Sequence, residues 1–80
     1  MDLRLKVISP EGLAYEGKVR RVLVPGILGQ FEILRNHAPI ISALEEGDVI
    51  YDDGEKHTLS ITAGFVSVQD NVVSICAELT

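Results

Sequence analysis

Two histidines, one cysteine and a run of carboxylates are the residues of this 80-residue chain whose types could do chemistry. Cys76 with His37 could be imagined as a nucleophile and its base. However, Cys76 lies within Val73-Ser74-Ile75-Cys76-Ala77, the apolar setting of an inert packed thiol. His57 stands beside Lys56 in a Thr-rich stretch and reads as an ordinary strand residue near a hairpin. The acidic group Glu45, Glu46, Asp48, Asp52, Asp53 and Glu55 lacks the fixed oxygen spacing of a calcium loop. It reads as a solvated edge that discourages sheet-to-sheet aggregation. Pro25-Gly26-Ile27-Leu28-Gly29 has no Lys-Ser/Thr ending and no following helix, so it is a turn and not a phosphate cradle. No metal-ligand spacing and no cofactor motif is visible. What remains is a polar elbow, Arg35-Asn36-His37, after the strand-like Phe31-Glu32-Ile33. Pro39 fixes φ behind it and biases Ala38 towards extended backbone. An elbow held by a sheet presents side chains to a partner, so the expectation is a contact surface and no catalysis.

The elements that must hold this elbow are strands. Apolar residues alternate with period two along most of the chain. Leu3, Leu5 and Val7 are followed by a Ser9-Pro10-Glu11-Gly12 turn, then by Leu13 and Tyr15 in a strand ending at Gly17. Val22 and Val24 share a face that Val19 does not, which a bulge between Val19 and Val22 would reconcile. Pro25-Gly26 is expected to turn, with Gly29 opening the Phe31–Ile33 strand, where Phe31 is a buried anchor. Ile40 to Leu44 is extended, and Glu45-Glu46-Gly47 turns into Asp48 to Tyr51. Asp52-Asp53-Gly54-Glu55 is a hairpin, because Asp-Gly tolerates positive φ. His57, Leu59 and Ile61 form a strand that Ala63-Gly64 breaks, before Phe65 to Val68; Gln69-Asp70-Asn71 then turns into Val72 to Ala77. About nine or ten short strands with no helical period make a β-sandwich or small barrel.

Residues 1–80 read as one domain, near the lower limit for a single core. With 46% apolar residues and only four aromatics, Tyr15, Phe31, Tyr51 and Phe65, that core must be mostly Val, Ile and Leu. The charge is uneven: residues 1–40 hold six basic and four acidic side chains, residues 41–80 one and eight. A net charge of −5 argues against nucleic acid as a partner, which needs Lys and Arg over a broad patch. The small cluster Lys18, Arg20 and Arg21 is a solvated face or a protein contact. One cysteine fits a reducing compartment. No apolar run approaches the roughly 20 residues of a membrane span, and the N-terminus does not resemble a secretion signal. A soluble intracellular protein is expected.

Five stretches in order resemble the ε subunit of the F-type ATP synthase. They are Leu5-Lys6-Val7-Ile8-Ser9-Pro10-Glu11-Gly12, Val22-Leu23-Val24-Pro25-Gly26, Gly29-Gln30-Phe31-Glu32-Ile33-Leu34, Asn36-His37-Ala38-Pro39 and Ile61-Thr62-Ala63-Gly64-Phe65-Val66-Ser67-Val68. The resemblance implies a ten-stranded antiparallel β-sandwich in the central stalk. Such a subunit does no bond chemistry, binds the γ subunit and the polar loops of the c-ring, and acts on the α3β3 hexamer indirectly. By position it implies γ contacts at His37, Ala38, Pro39 and Ser42, and c-ring contacts at Gln30, Arg35 and Asn36. It implies a peripheral location on the cytoplasmic face of a bacterial inner membrane, with no membrane insertion. Two departures stand out. The C-terminal helix pair of many relatives is not encoded in these residues, so their inhibition of ATP hydrolysis and nucleotide binding are expected to be absent. Glu32 replaces a frequent glycine and must face solvent or a partner. A free-standing recognition module and a small hydrolase built on Cys76 and His37 are the alternative readings.

Overall fold

The period-two pattern is realised strand by strand in the computed structural model, which describes residues 2–80. The elements are β1 (Leu3–Ser9), β2 (Gly12–Val19), β3 (Arg21–Gly26), β4 (Gly29–Ile33), β5 (Ile40–Leu44), β6 (Gly47–Asp52), β7 (Lys56–Gln69) and β8 (Val72–Leu79). No helix occurs among the described residues. The all-β class therefore stands, with eight strands where ten were expected, and with β1 and β8 paired in parallel.

The lower count traces to β7, which does not break at Ala63-Gly64 but runs through it for 14 residues. Its first half pairs with β6, and its second half lies between β8 and β5. Beyond β8 come β1 and β2; beyond β6 come β3 and β4. One hydrogen-bonded sheet is thus folded over itself along β7. A single Gly26–Leu44 pair between β3 and β5 closes it further. The core lies between the halves. Leu5, Val7, Val66, Val68, Val73 and Ile75 meet Val22, Val24, Ile33, Val49 and Ile61 there, all nearly or fully buried.

For β7 to line both halves, its inward face must change phase. His57, Leu59 and Ile61 turn inward first, then Gly64, Val66 and Val68. A strand alternates strictly, so one extra residue is required. The register with β8 slips between Ile61 and Ala63, which supplies it. Gly64 follows directly: a Cβ there would lie 2.5 Å from the Cys76 carbonyl oxygen and 2.8 Å from the Ala77 Cβ. The apparent break was a bulge that needs a glycine.

Other local expectations shift for reasons of topology. Val19 and Val22 differ in phase because they belong to opposite halves of the sheet, β2 and β3, and not because of a bulge. Arg20 forms the bend between them and donates its backbone N–H to the Asp52 carbonyl at 2.7 Å. Pro25 and Gly26 finish β3, so the turn falls on Ile27-Leu28. Asp70 and Asn71 both have positive φ, 50° and 63°, the pair that a tight two-residue hairpin demands. Phe31 is only half-buried against the core, not the enclosed anchor expected.

Candidate functional site

The elbow is a hydrogen-bonded turn. The His37 N–H donates to the Leu34 carbonyl at 3.2 Å, and Asn36, third in the turn, has φ 66°. Asparagine tolerates this left-handed conformation better than most residues. A second tie comes from the β7–β8 hairpin. Asn71 Oδ1 accepts the Asn36 backbone N–H at 2.6 Å, and Asn71 Nδ2 donates to Asn36 Oδ1 at 3.2 Å. The Asn71 carbonyl also accepts the Arg4 N–H at 2.8 Å, and only 8% of Asn71 is exposed. Sequence reading gave Asn71 the role of a turn residue alone. Its partner 35 positions away could not be foreseen from local pattern.

The expected site residues separate into two groups. Arg35 and Asn36 line a groove of about 480 Å³ with Asp2, Val19, Arg20 and Leu34. Lys18 pairs with Asp2 at 3.4 Å and Arg21 with Glu32 at 3.2 Å, which gives Glu32 its exposed partner. Arg20 and Arg35 form no ion pair among the described residues, and they share this groove with the Asp2 carboxylate. His37 is half-buried beside it, a ring nitrogen 2.7 Å from the Ala38 carbonyl. Ala38 and Pro39 are exposed.

Gln30 and Ser42 lie elsewhere. Gln30 sits at the opposite end of β4 from the elbow, paired with Pro25 and separated from Ile33 by about 10 Å of extended chain. Ser42 joins the β3–β4 tip: Ile27, Leu28, Gly29, Phe31, Ile41 and Ser42 line one groove of about 540 Å³. This tip is apolar. Leu28 is fully exposed and Ile41 is 82% exposed. Sequence reading passed over both. A two-residue loop framed by Gly26 and Gly29 must project its side chains, and alternation with the inward Ile40 must send Ile41 outward; those were the available signals.

A further apolar row crosses the outer face of the sheet. Leu13, Ile8, Cys76, Phe65 and Ala43 are cross-strand partners in sequence across β2, β1, β8, β7 and β5. Leu13 and Phe65 are each more than half exposed, and Ile8, Phe65 and Cys76 line a shallow groove. Cys76 belongs to this row while His37 belongs to the elbow, so the pair needed by the hydrolase reading is not assembled. No cluster of three or more His, Cys, Asp or Glu suited to a metal ion is found among the described residues.

The acidic hairpin forms a separate polar cluster. Asp53 accepts the Glu55 N–H at 3.2 Å, lies 2.9 Å from His57 Nε2, and accepts the Tyr15 hydroxyl at 3.2 Å. The backbone bond from Glu55, helped by His57 and Tyr15, holds its carboxyl below the usual carboxylate range. Burial, with the nearby Asp53 charge, pushes the Tyr15 and Tyr51 hydroxyls up. This cluster ties edge strand β2 to the hairpin through the Tyr15–Asp53 bond.

Comparison with known proteins bears on these surfaces. The family model described as "ATP synthase, Delta/Epsilon chain, beta-sandwich domain" matches residues 2–79. An ATP synthase epsilon chain of Leptospira interrogans is 44% identical over 77 residues, covering 95% of this chain and 61% of the relative. One from Nitratidesulfovibrio vulgaris is 42% identical, covering 96% and 58%. The chain therefore spans about six-tenths of the length of these relatives. Two solved assemblies share the fold. A chain of the Euglena gracilis mitochondrial ATP synthase (OSCP/F1/c-ring) matches with TM-score 0.90 and 21% identity, over 99% of this chain and 52% of that one. A chain of the Tetrahymena thermophila mitochondrial ATP synthase central stalk and c-ring matches with TM-score 0.82 and 15% identity, over 98% and 64%.

Proposed function

This chain belongs to the ATP synthase delta/epsilon β-sandwich family, and on that premise we propose that it is a non-catalytic rotor element of an F-type ATP synthase. It binds the γ subunit and rests on the polar loops of the c-ring, so that rotation driven by ion translocation reaches the α3β3 hexamer through γ. The location that follows is peripheral, on the cytoplasmic face of a bacterial membrane; no helix among the described residues is long and apolar enough to cross one.

The observation that carries this reading is the amount of apolar side chain left outside a well-filled core. Leu13, Ile27, Leu28, Ile41 and Phe65 are each more than half exposed on an 80-residue domain. They form two exposed apolar patches, one at the β3–β4 tip and one across the outer face, and such patches mark protein contacts. The fold suits a mechanical role. Every strand is hydrogen-bonded into one sheet, and β7 runs unbroken through both halves. Shear between the halves must therefore stretch backbone hydrogen bonds and disturb a close-packed core. We assign His37, Ala38, Pro39 and Ser42 to the γ side, and Gln30, Arg35 and Asn36 to the ring side or its boundary with γ, so that each partner must reach from the elbow to the β3–β4 tip.

The reading is tested by mixing the purified chain with purified γ subunit and measuring mass by light scattering after gel filtration. A one-to-one complex at micromolar concentration is expected. Two separate peaks under those conditions would end the proposal and favour a free-standing recognition module.

A further inference from the structure

We propose that Asn71, a buried residue on the β7–β8 hairpin, is the positioning residue for the partner-binding elbow. The inference rests on the reading above, in which the elbow contacts a stalk partner. A turn of exposed polar residues would ordinarily sample several shapes before binding. Ordering it on contact costs backbone entropy at each residue fixed, and the partner's affinity falls by the fraction of time the correct shape is absent. Here the shape is fixed in advance. Asn36 is held from outside its own turn by two bonds to one side chain: its N–H to Asn71 Oδ1 at 2.6 Å, and its Oδ1 from Asn71 Nδ2 at 3.2 Å.

Asn71 is itself over-determined. It is 8% exposed, it holds φ 63° in a tight hairpin, and its carbonyl is bonded to Arg4 of β1. The clasp therefore connects the elbow to two strands of the opposite half of the sheet. A residue needed only to turn the hairpin could be Gly or Asp with equal success. The orientation of this amide towards Asn36 adds a function that the hairpin does not require. His37, which follows Asn36 and whose N–H closes the same turn on the Leu34 carbonyl at 3.2 Å, is the γ-side residue whose position the clasp controls most directly.

Asn71→Gly is the informative substitution, because glycine keeps the positive φ while deleting both bonds. Asn71→Asp is the rescue. A carboxylate still accepts the Asn36 N–H, and the Asn36 amide can turn to donate to its second oxygen. Binding to purified γ subunit is followed by surface-immobilised kinetics, with amide exchange at Asn36 read by NMR on each free variant. The expected result for Asn71→Gly is a roughly tenfold loss of affinity. That loss lies in slower association with dissociation unchanged, and Asn36 exchanges faster. Asn71→Asp is expected within about twofold of the unsubstituted chain, since both bonds are rebuilt.

Equal binding by Asn71→Gly and the unsubstituted chain overturns the proposal and leaves the rotor reading standing. Equal weakening by Gly and Asp, with melting temperature lowered in both, also overturns it, because the role is then structural only. If Asn71→Gly does not fold, Asn36→Gly replaces it. That exposed change deletes the bond from Asn71 Nδ2 and keeps the one from the position-36 N–H, so normal association together with unchanged amide exchange at position 36 overturns the proposal. Failure of the unsubstituted chain to bind γ overturns the rotor reading and this inference together.

Discussion

Gly64→Ala is the most demanding test of how this sheet folds over itself. The position lies where β7 changes its inward phase, paired with Leu44 on one side and Ala77 on the other. An added methyl would sit 2.5 Å from the Cys76 carbonyl oxygen, 2.8 Å from the Ala77 Cβ and 2.9 Å from the Ala77 Cα. Two of those three atoms are backbone, so no side-chain rotation relieves them. Either β8 moves away, or the Ile61/Ala63 bulge is displaced. Overpacking of this kind costs typically about 1–3 kcal/mol, and the backbone contacts place Gly64→Ala at the upper end. A domain of this length has roughly 4–12 kcal/mol in total. At about 4–8 °C per kcal/mol for a domain this size, the melting temperature should fall by roughly 10–20 °C. Thermal unfolding by circular dichroism measures it. Gly54→Ala is the comparison, because nothing lies within 4 Å of a Cβ there and only its φ of 113° is strained. A Gly64→Ala protein melting within 2–3 °C of the unsubstituted one, about half a kcal/mol, would refute the close approach of β7 and β8.

Three further outcomes follow. Phe31→Ala should cost about 1.5–3 kcal/mol in denaturant titration, below the roughly 3–5 kcal/mol of an enclosed Phe, because its ring is half-buried. Leu28→Ser should leave stability within about 0.5 kcal/mol, since its side chain is fully exposed. If the tip seats in a partner, the same change should weaken assembly roughly 10-fold or more in pull-downs of the rotor complex, the worth of one buried leucine. The third outcome concerns pH. The Asp53 carboxyl is lowered in the folded chain, so its contribution is present above the ordinary carboxylate range and is lost as pH falls through its folded value. Asp53→Asn should therefore flatten the acid limb of a stability-against-pH curve and also reduce the alkaline limb, because the Asp53 charge helps raise Tyr15 and Tyr51. The raised Tyr15 and Tyr51 act oppositely: their contribution is complete below about pH 10 and fades as pH rises beyond it.

The elements themselves were legible because their causes are local. Alternation in Leu3-Arg4-Leu5-Lys6-Val7 commits one face to the core whichever strand lies beside it. Asp52-Asp53-Gly54 bonds its own backbone, with the Gly54 N–H donated to Asp52 Oδ1 at 2.8 Å. Alternation also fixed the row of Cys76, but it placed the thiol on the outer face opposite buried Ile75 and Ala77, only half-buried where a packed thiol was expected. Residue type and spacing likewise marked Arg35-Asn36-His37 as a turn, and the five quoted stretches marked the family.

Contacts between distant positions were another matter. Whether Ala63-Gly64 ends a strand or bends one depends on β8 lying against it, and nothing within a few residues encodes that neighbour. Val19 and Val22 look like one strand with a fault until pairing assigns them to opposite halves of the sheet. Phe31 alternates correctly with Ile33, yet it lines an open groove at the β3–β4 tip, where enclosure is incomplete. Gln30 lies at the start of β4 and Arg35 in the turn beyond its end, close in sequence but apart in space, since an extended chain separates residues by about 3.3 Å at each step. The clasp between Asn36 and Asn71 exists only because the folded sheet brings two turns together. The order of side chains set which faces are apolar and where the chain must turn; the closing of one half of the sheet over the other chose the neighbours, because registry between remote strands is an energy shared by both and written in neither.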